Sequence, residues 1–182
     1  LRSQNRKPGT CKKRGNARRN EIEVIMIERY SRPEMAGLWT LENRYRYWFK
    51  VEQAVCQAWN EQGVIPDEDL KNIMQDVDFD VDKILEIESV TRHDIIAFLT
   101  YLEQKIGPSA RFIHLGCTSS DIVDTAMALQ MVEAGKIIMD GFDLVLDTLR
   151  TFIRKHQGLI CMGRSHGVHG EPVTYGFKFA GF

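Results

Sequence analysis

From Ser31 onward, apolar residues recur at every third or fourth position, the spacing of one helical face. The stretch "TLENRYRYWFKVEQAVCQAWNEQG" sets Tyr45, Trp48, Phe49, Val55, Cys56 and Trp59 at those intervals, and Gly63 reads as a stop. Ahead of it, "SRPEM" places Ser31 two residues before Pro33, which predicts a helix capped by Ser31. Shorter helices are expected from Pro66 to about Val77 and from Asp80 to about Val90. "TRHDIIAFLTYLEQKIG" has Thr91 and Asp94 at capping-box spacing, then an apolar run, then a Gly107–Pro108 stop.

The longest signal runs from Thr118 to about His156 without a proline. Ile122, Ala126, Leu129, Ile137, Phe142, Val145, Leu149 and Phe152 carry its stripe, and Gly135 and Gly141 weaken it locally. At 1.5 Å per residue such a helix spans about 57 Å. A helix of that length cannot bury its stripe alone, so partner helices are expected from further chain or from other subunits. Alternation with a period of two is scarce, and "LICMG" (Leu159–Gly163) is the best extended candidate. The fold class is therefore all-α, an N-terminal helical domain followed by the start of a long-helix bundle. The sequence stops inside the apolar run "TYGFKFAGF", which is expected of the N-terminal fragment of a longer protein.

Charge changes the picture at one end. The net charge is −1, but residues 1–25 hold eight Lys/Arg against Glu21 and Glu23, a net of +6, leaving −7 for the rest. This segment lacks apolar periodicity and reads as a disordered leader or non-native extension, with Met26 the expected natural start. The alternative is a nucleic-acid-binding arm. Cys11, Cys56, Cys117 and Cys161 form no C-x-x-C pair, and no signal peptide is evident, so a reducing cytoplasm is expected. No apolar run approaches the roughly 18 residues that cross a membrane.

Four segments carry candidate chemistry. In "ERYSRP", Arg29 beside Tyr30 can clamp a phosphate, or be a surface Arg beside a half-buried ring. In "TRHDII", Arg92, His93 and Asp94 stand at a helix start, where unpaired N–H groups and the helix dipole attract anions; capping and surface exposure are the plainer alternative. In "HLGCTSSDIVDTA", Thr118 and Ser119 open the long helix, with Asp121 at capping-box spacing and His114 just upstream. In "GRSHGVHGEP", His166 and His169 lie three apart among Gly163, Gly167 and Gly170. Those glycines argue against a helix that would aim both rings at one ion, and Glu171 alone does not complete a zinc set, so an acid–base role fits better than a metal.

Together, "MIERYSRPEM", "TRHDIIAFL", "HLGCTSSDIVDTA" and "GRSHGVHGEPVTYG" resemble the adenylosuccinate lyases of the fumarase/aspartase superfamily, in order and with closely matching spacing from Met26 to Phe182. The first two motifs set the chain apart from argininosuccinate lyases and fumarases, which share only the "TS" and "TH" regions; a lyase of that kind, or a non-catalytic truncated helical module, is the alternative. The resemblance implies β-elimination of fumarate from adenylosuccinate, giving AMP, and from SAICAR, giving AICAR, in purine synthesis. It implies no metal or organic cofactor, a succinyl-nucleotide substrate, a cytoplasmic homotetramer, and neither membrane nor nucleic-acid partners. On this resemblance Arg29, Tyr30, Arg92, His93, Asp94, Thr118 and Ser119 bind substrate, His166 is the general acid, and His114 and His169 line the site. Residues 26–136 match the N-terminal lyase domain, and 137–182 the start of the central bundle. Ser165 stands where Thr is usual and Gly170 where Ala is usual. The family's base, a serine on a mobile loop, matches nothing in this chain, so the chain alone is expected to be inactive.

Overall fold

The computed structural model describes residues 28–182. The basic segment 1–25 and Met26 lie outside them, and with them the leader, start-site and nucleic-acid-arm expectations. The chain divides into two units, residues 1–32 and 33–182, and of the first only a short 3₁₀ turn, Glu28–Tyr30, and its flank are described.

The second unit holds seven helices, five of which contribute to one apolar core. They are α1 (Pro33–Leu38), α2 (Leu41–Glu61), α3 (Asp67–Ile73), α4 (Val81–Thr91), α5 (Asp94–Ile106), α6 (Ser119–His156) and α7 (Tyr175–Ala180). The all-α class holds, with one small antiparallel hairpin, β1 (Ile160–Ser165) and β2 (Val168–Thr174), between α6 and α7. Helix α2 starts where Thr40 accepts a hydrogen bond from the Asn43 N–H and ends before Gly63, whose φ of 74° is readily adopted only without a side chain. Its face turns Tyr45, Trp48, Phe49 and Cys56 into the core against Phe79, Phe98 and Tyr101. Tyr45 stacks on Phe98 with ring centroids 5.9 Å apart, and Trp48 meets both edge-on. Aromatic pairs of this geometry contribute roughly 0.5–1.5 kcal/mol beyond area burial.

Several boundaries differ from the periodicity reading. Helix α1 begins at Pro33, which puts the cap position at Arg32 rather than Ser31. Helix α3 ends at Ile73, not near Val77, because Val77 and Phe79 enter the core from an extended segment instead. The Tyr101 hydroxyl pins that segment, donating to the Asp78 carbonyl at 2.7 Å and accepting from the Asp80 N–H at 2.9 Å. Thr91 is not the cap of α5. It is the last residue of α4, and His93 takes the cap position. The apolar run "TYGFKFA" closes into α7, which packs on the end of α6 through Phe152 and Phe179, centroids 4.7 Å apart.

Helix α6 runs unbroken through Gly135 and Gly141 for 38 residues. Its buried positions, Ile122, Ala126, Gln130 and Ala134, all lie in the first half, where α1 and α2 cover it. Gln130 donates to the Leu38 carbonyl at 2.6 Å, tying α1 to this half. Beyond Ala134, Phe142, Leu144 and Val145 are exposed, Leu144 at 72%.

Candidate functional site

Among the described residues, three non-glycine residues have positive φ: Arg92 at 57°, His114 at 68° and His166 at 50°. Left-handed backbone costs an L-residue roughly 1–2 kcal/mol. Such strain persists only where its surroundings enforce it, and it gathers at functional positions. All three are residues singled out in the sequence for their chemistry.

Arg92 is the link between α4 and α5. Its N–H closes α4 on the Glu88 carbonyl at 2.8 Å, and its left-handed turn lets α5 start two residues later. His93 then caps α5, its Nδ1 accepting from the Ile96 N–H over a long 3.5 Å. An accepting Nδ1 puts the proton of the neutral ring on Nε2. Asp94 lies 3.4 Å from the same Nδ1 and accepts from the Ile95 N–H at 2.7 Å. This junction thus gathers a guanidinium, an exposed imidazole and a helix N-terminus, groups suited to an anion.

The start of α6 is held differently. The Thr118 N–H donates to Asp121 Oδ2 at 2.8 Å, so the expected Thr118–Asp121 pairing is present, and Ser119 opens the helix half-buried. The loop before it lies against one face of α2. Trp59 Nε1 donates to the Leu115 carbonyl at 2.9 Å. Glu52, fully buried, takes the His114 N–H on Oε2 at 2.9 Å and faces the His114 Nδ1 with Oε1 at 2.7 Å. Burial raises the Glu52 carboxyl above its ordinary value, while the bonds from His114 pull it back down. The neighbouring Cys56 thiol is pushed up to about 12, chiefly by burial, and so is held as a neutral thiol.

Glu52 was missed by the motif reading. Its signal was a charged residue on an apolar stripe, one turn from Trp48 on one side and from Cys56 on the other.

The "GRSHGVHGEP" stretch is the hairpin. Only "LICMG" was expected to be extended, but the partner strand follows at once. Ser165 pairs with Val168, which leaves His166–Gly167 as a two-residue turn with both φ positive, 50° and 76°. A type I′ turn has this signature, and its twist matches that of the flanking strands. His169 lies opposite Arg164. The register shifts between Met162 and Arg164, so Gly163 is opposed by two residues, Gly170 and Glu171. A Cβ on Gly163 would stand 2.8 Å from the Glu171 carbonyl oxygen. Gly163 and Gly167 therefore serve the chain's own backbone.

The candidate residues form three local clusters within residues 33–182: Arg92 to Asp94, His114 to Ser119, and His166 with His169. Among the described residues, no hydrogen bond or ion pair joins one cluster to another. Arg29 and Tyr30 belong to the first unit, where the Arg29 guanidinium lies over the Tyr30 ring, 4.8 Å from its centroid. A cavity of about 450 Å³ between the hairpin and α7 is lined by Arg164, Tyr175 and Lys178, among others, and by none of the candidate residues. Among the described residues, no group of three or more His, Cys, Asp and Glu side chains is placed to hold a metal ion.

The chain is 44% identical to the adenylosuccinate lyase of Bacillus subtilis strain 168 and 46% identical to that of Streptococcus mutans, over 155 residues in each case. These alignments cover 85% of this chain and 36% of either relative, so the chain spans about a third of their length. A 3-carboxy-cis,cis-muconate lactonizing enzyme from Pseudomonas putida superposes with a TM-score of 0.76 at 27% identity, over 84% of this chain and 36% of that one. A fumarate lyase from Mesorhizobium sp. BNC1 shares the fold, with a TM-score of 0.74 at 24% identity over 80% and 35% of the two chains. The family described as Lyase matches residues 28–182, a span that contains every candidate residue, and the chain belongs to that family.

Proposed function

We propose that the protein carrying this chain is an adenylosuccinate lyase. It eliminates fumarate from adenylosuccinate to give AMP, and from SAICAR to give AICAR, in the AMP and IMP branches of purine synthesis. The observation that carries the reading is the strained backbone. Arg92, His114 and His166 hold left-handed φ values, and each lies in a segment with groups for anions or protons. The similarity to curated adenylosuccinate lyases supplies the substrate class.

In this reading His166, at the apex of the hairpin, protonates the departing nitrogen, a contribution of roughly 10²- to 10⁴-fold. Thr118 and Ser119 take a succinyl carboxylate at the start of α6, where the N-terminal end of a 38-residue helix favours negative charge. Arg92, His93 and Asp94 hold a second part of the substrate, and Arg29 and Tyr30 bind near the nucleotide. His114 and His169 line the site. The base that removes the succinyl proton comes from outside this chain. Residues 26–136 act as the N-terminal domain, and 137–182 begin a central bundle. The exposed apolar face of α6 meets other subunits of a cytoplasmic homotetramer, which also brings the separate clusters into shared sites.

The direct test is to supply adenylosuccinate or SAICAR to the intact protein and follow the ultraviolet absorbance of the new fumarate double bond. Release of fumarate from both is expected. No turnover of either would overturn the reading.

A further inference from the structure

Glu52 has no place in the chemistry proposed above, yet it is the one acidic side chain wholly buried among the described residues. A buried carboxyl group is a poor device for stability, since apolar residues of similar volume often serve as well or better. Something other than core packing has to account for it. Both of its carboxylate oxygens go to a single residue, His114: one to the backbone N–H, one to the ring. That residue has a left-handed φ of 68° and stands four positions before Thr118. Glu52, Cys56 and Trp59 lie on one face of α2 and meet the loop at successive points, the His114 amide and ring, the Phe112 carbonyl, and the Leu115 carbonyl.

We propose that Glu52 is a positioning residue: its buried carboxylate sets the orientation and tautomer of the His114 ring and the direction in which the chain turns into α6. A carboxylate only accepts, so in the neutral ring Nδ1 must carry the proton and Nε2 is left as an acceptor. This is the opposite tautomer to that of His93, whose Nδ1 accepts from a backbone N–H. The side chain of His114 is 18% exposed, and Nε2 has no hydrogen-bond partner among the described residues, so it is free to meet a ligand. The inference rests on the reading that His114 lines the site, and Glu52 acts through it without touching substrate.

Glu52→Gln tests this with little change in shape. The Gln carbonyl can accept the His114 N–H, and its amide can donate to Nδ1, which moves the ring proton to Nε2. The intact protein is labelled with [¹⁵N]histidine, and the His114 signals are assigned by their loss in His114→Gln. Wild type is expected to show the Nδ1–H tautomer and Glu52→Gln the Nε2–H tautomer. In the same variant kcat/KM for adenylosuccinate is expected to fall by about tenfold or more, the order of loss known for partners that orient metal-binding histidines. Ile73→Ala, which opens a cavity in α3 away from every candidate residue, should lower stability and leave kcat/KM within about twofold. An Nε2–H tautomer in wild type, or an unchanged kcat/KM in a Glu52→Gln protein that folds, overturns the proposal. If wild type itself has no lyase activity, the functional reading fails instead, and the wild-type tautomer still decides the role of Glu52. That measurement also stands if Glu52→Gln does not fold.

Discussion

In the proposed reading His166 has two tasks, as the apex of a tight turn and as the proton donor. Substitution can separate them. Asparagine tolerates positive φ, and Asn-Gly is the favoured pair for a type I′ turn. His166→Asn should therefore leave the hairpin and the melting temperature unchanged or slightly improved. It should lower kcat by roughly 10²- to 10⁴-fold while substrate binding persists. Thermal unfolding and steady-state kinetics on one preparation check both halves, and an unchanged kcat would remove His166 from the acid role. His166→Ala separates them less cleanly, because alanine keeps the Cβ cost of a φ of 50° that asparagine tolerates, while losing the ring. At the same scale, the motifs mark polar groups in particular segments but not what holds them. His93 stood out in "TRHDII", whereas its place as cap of α5 follows from α4 extending through Thr91.

Elements were legible where periodicity is long, and less so where a few residues decide. Helix α6 was expected over Thr118 to His156 and spans Ser119–His156, because a stripe sustained over many turns is a strong signal. The hairpin is only half legible in the sequence, since β2 carries Pro172 and Gly170 and does not alternate. Its pairing comes from the His166–Gly167 turn and from the bulge opposite Gly163. Helix α7 depends on a single close approach. A Cβ on Gly176 would stand 2.5 Å from Gln157 Cα and 3.1 Å from the Ile153 carbonyl oxygen, both backbone atoms. Gly176→Ala is accordingly expected to push α7 off α6 at a cost of about 1–3 kcal/mol. Faster amide hydrogen exchange across Phe177–Ala180, with α2 unaffected, is the result that checks it.

At the scale of the folded unit, α6 changes character along its length. Its first half is built into the core through Ile122 and Ala126, and its second half exposes Phe142, Leu144 and Val145. Exposed apolar surface of this extent marks an interaction site. If it is the bundle face of a homotetramer, Leu144→Asp should shift the intact protein to smaller species in sedimentation velocity, because it places a charge in an apolar interface. An unchanged sedimentation coefficient would move the interface elsewhere.

Local pattern along the chain was enough for the helical class, the long helix and the four segments of interest. Periodicity and capping residues act over a few positions, and they hold wherever the segment ends up in space. The pairing of Glu52 with His114, 62 positions apart, could not be read that way. Neither could the strain at Arg92, His114 and His166. The pairing depends on which faces meet when α2 and the loop between α5 and α6 pack together, and the strain at Arg92 and His166 on how α4 ends and how the two strands pair. A charged residue on an apolar stripe is ambiguous until its partner from a distant part of the chain is in place.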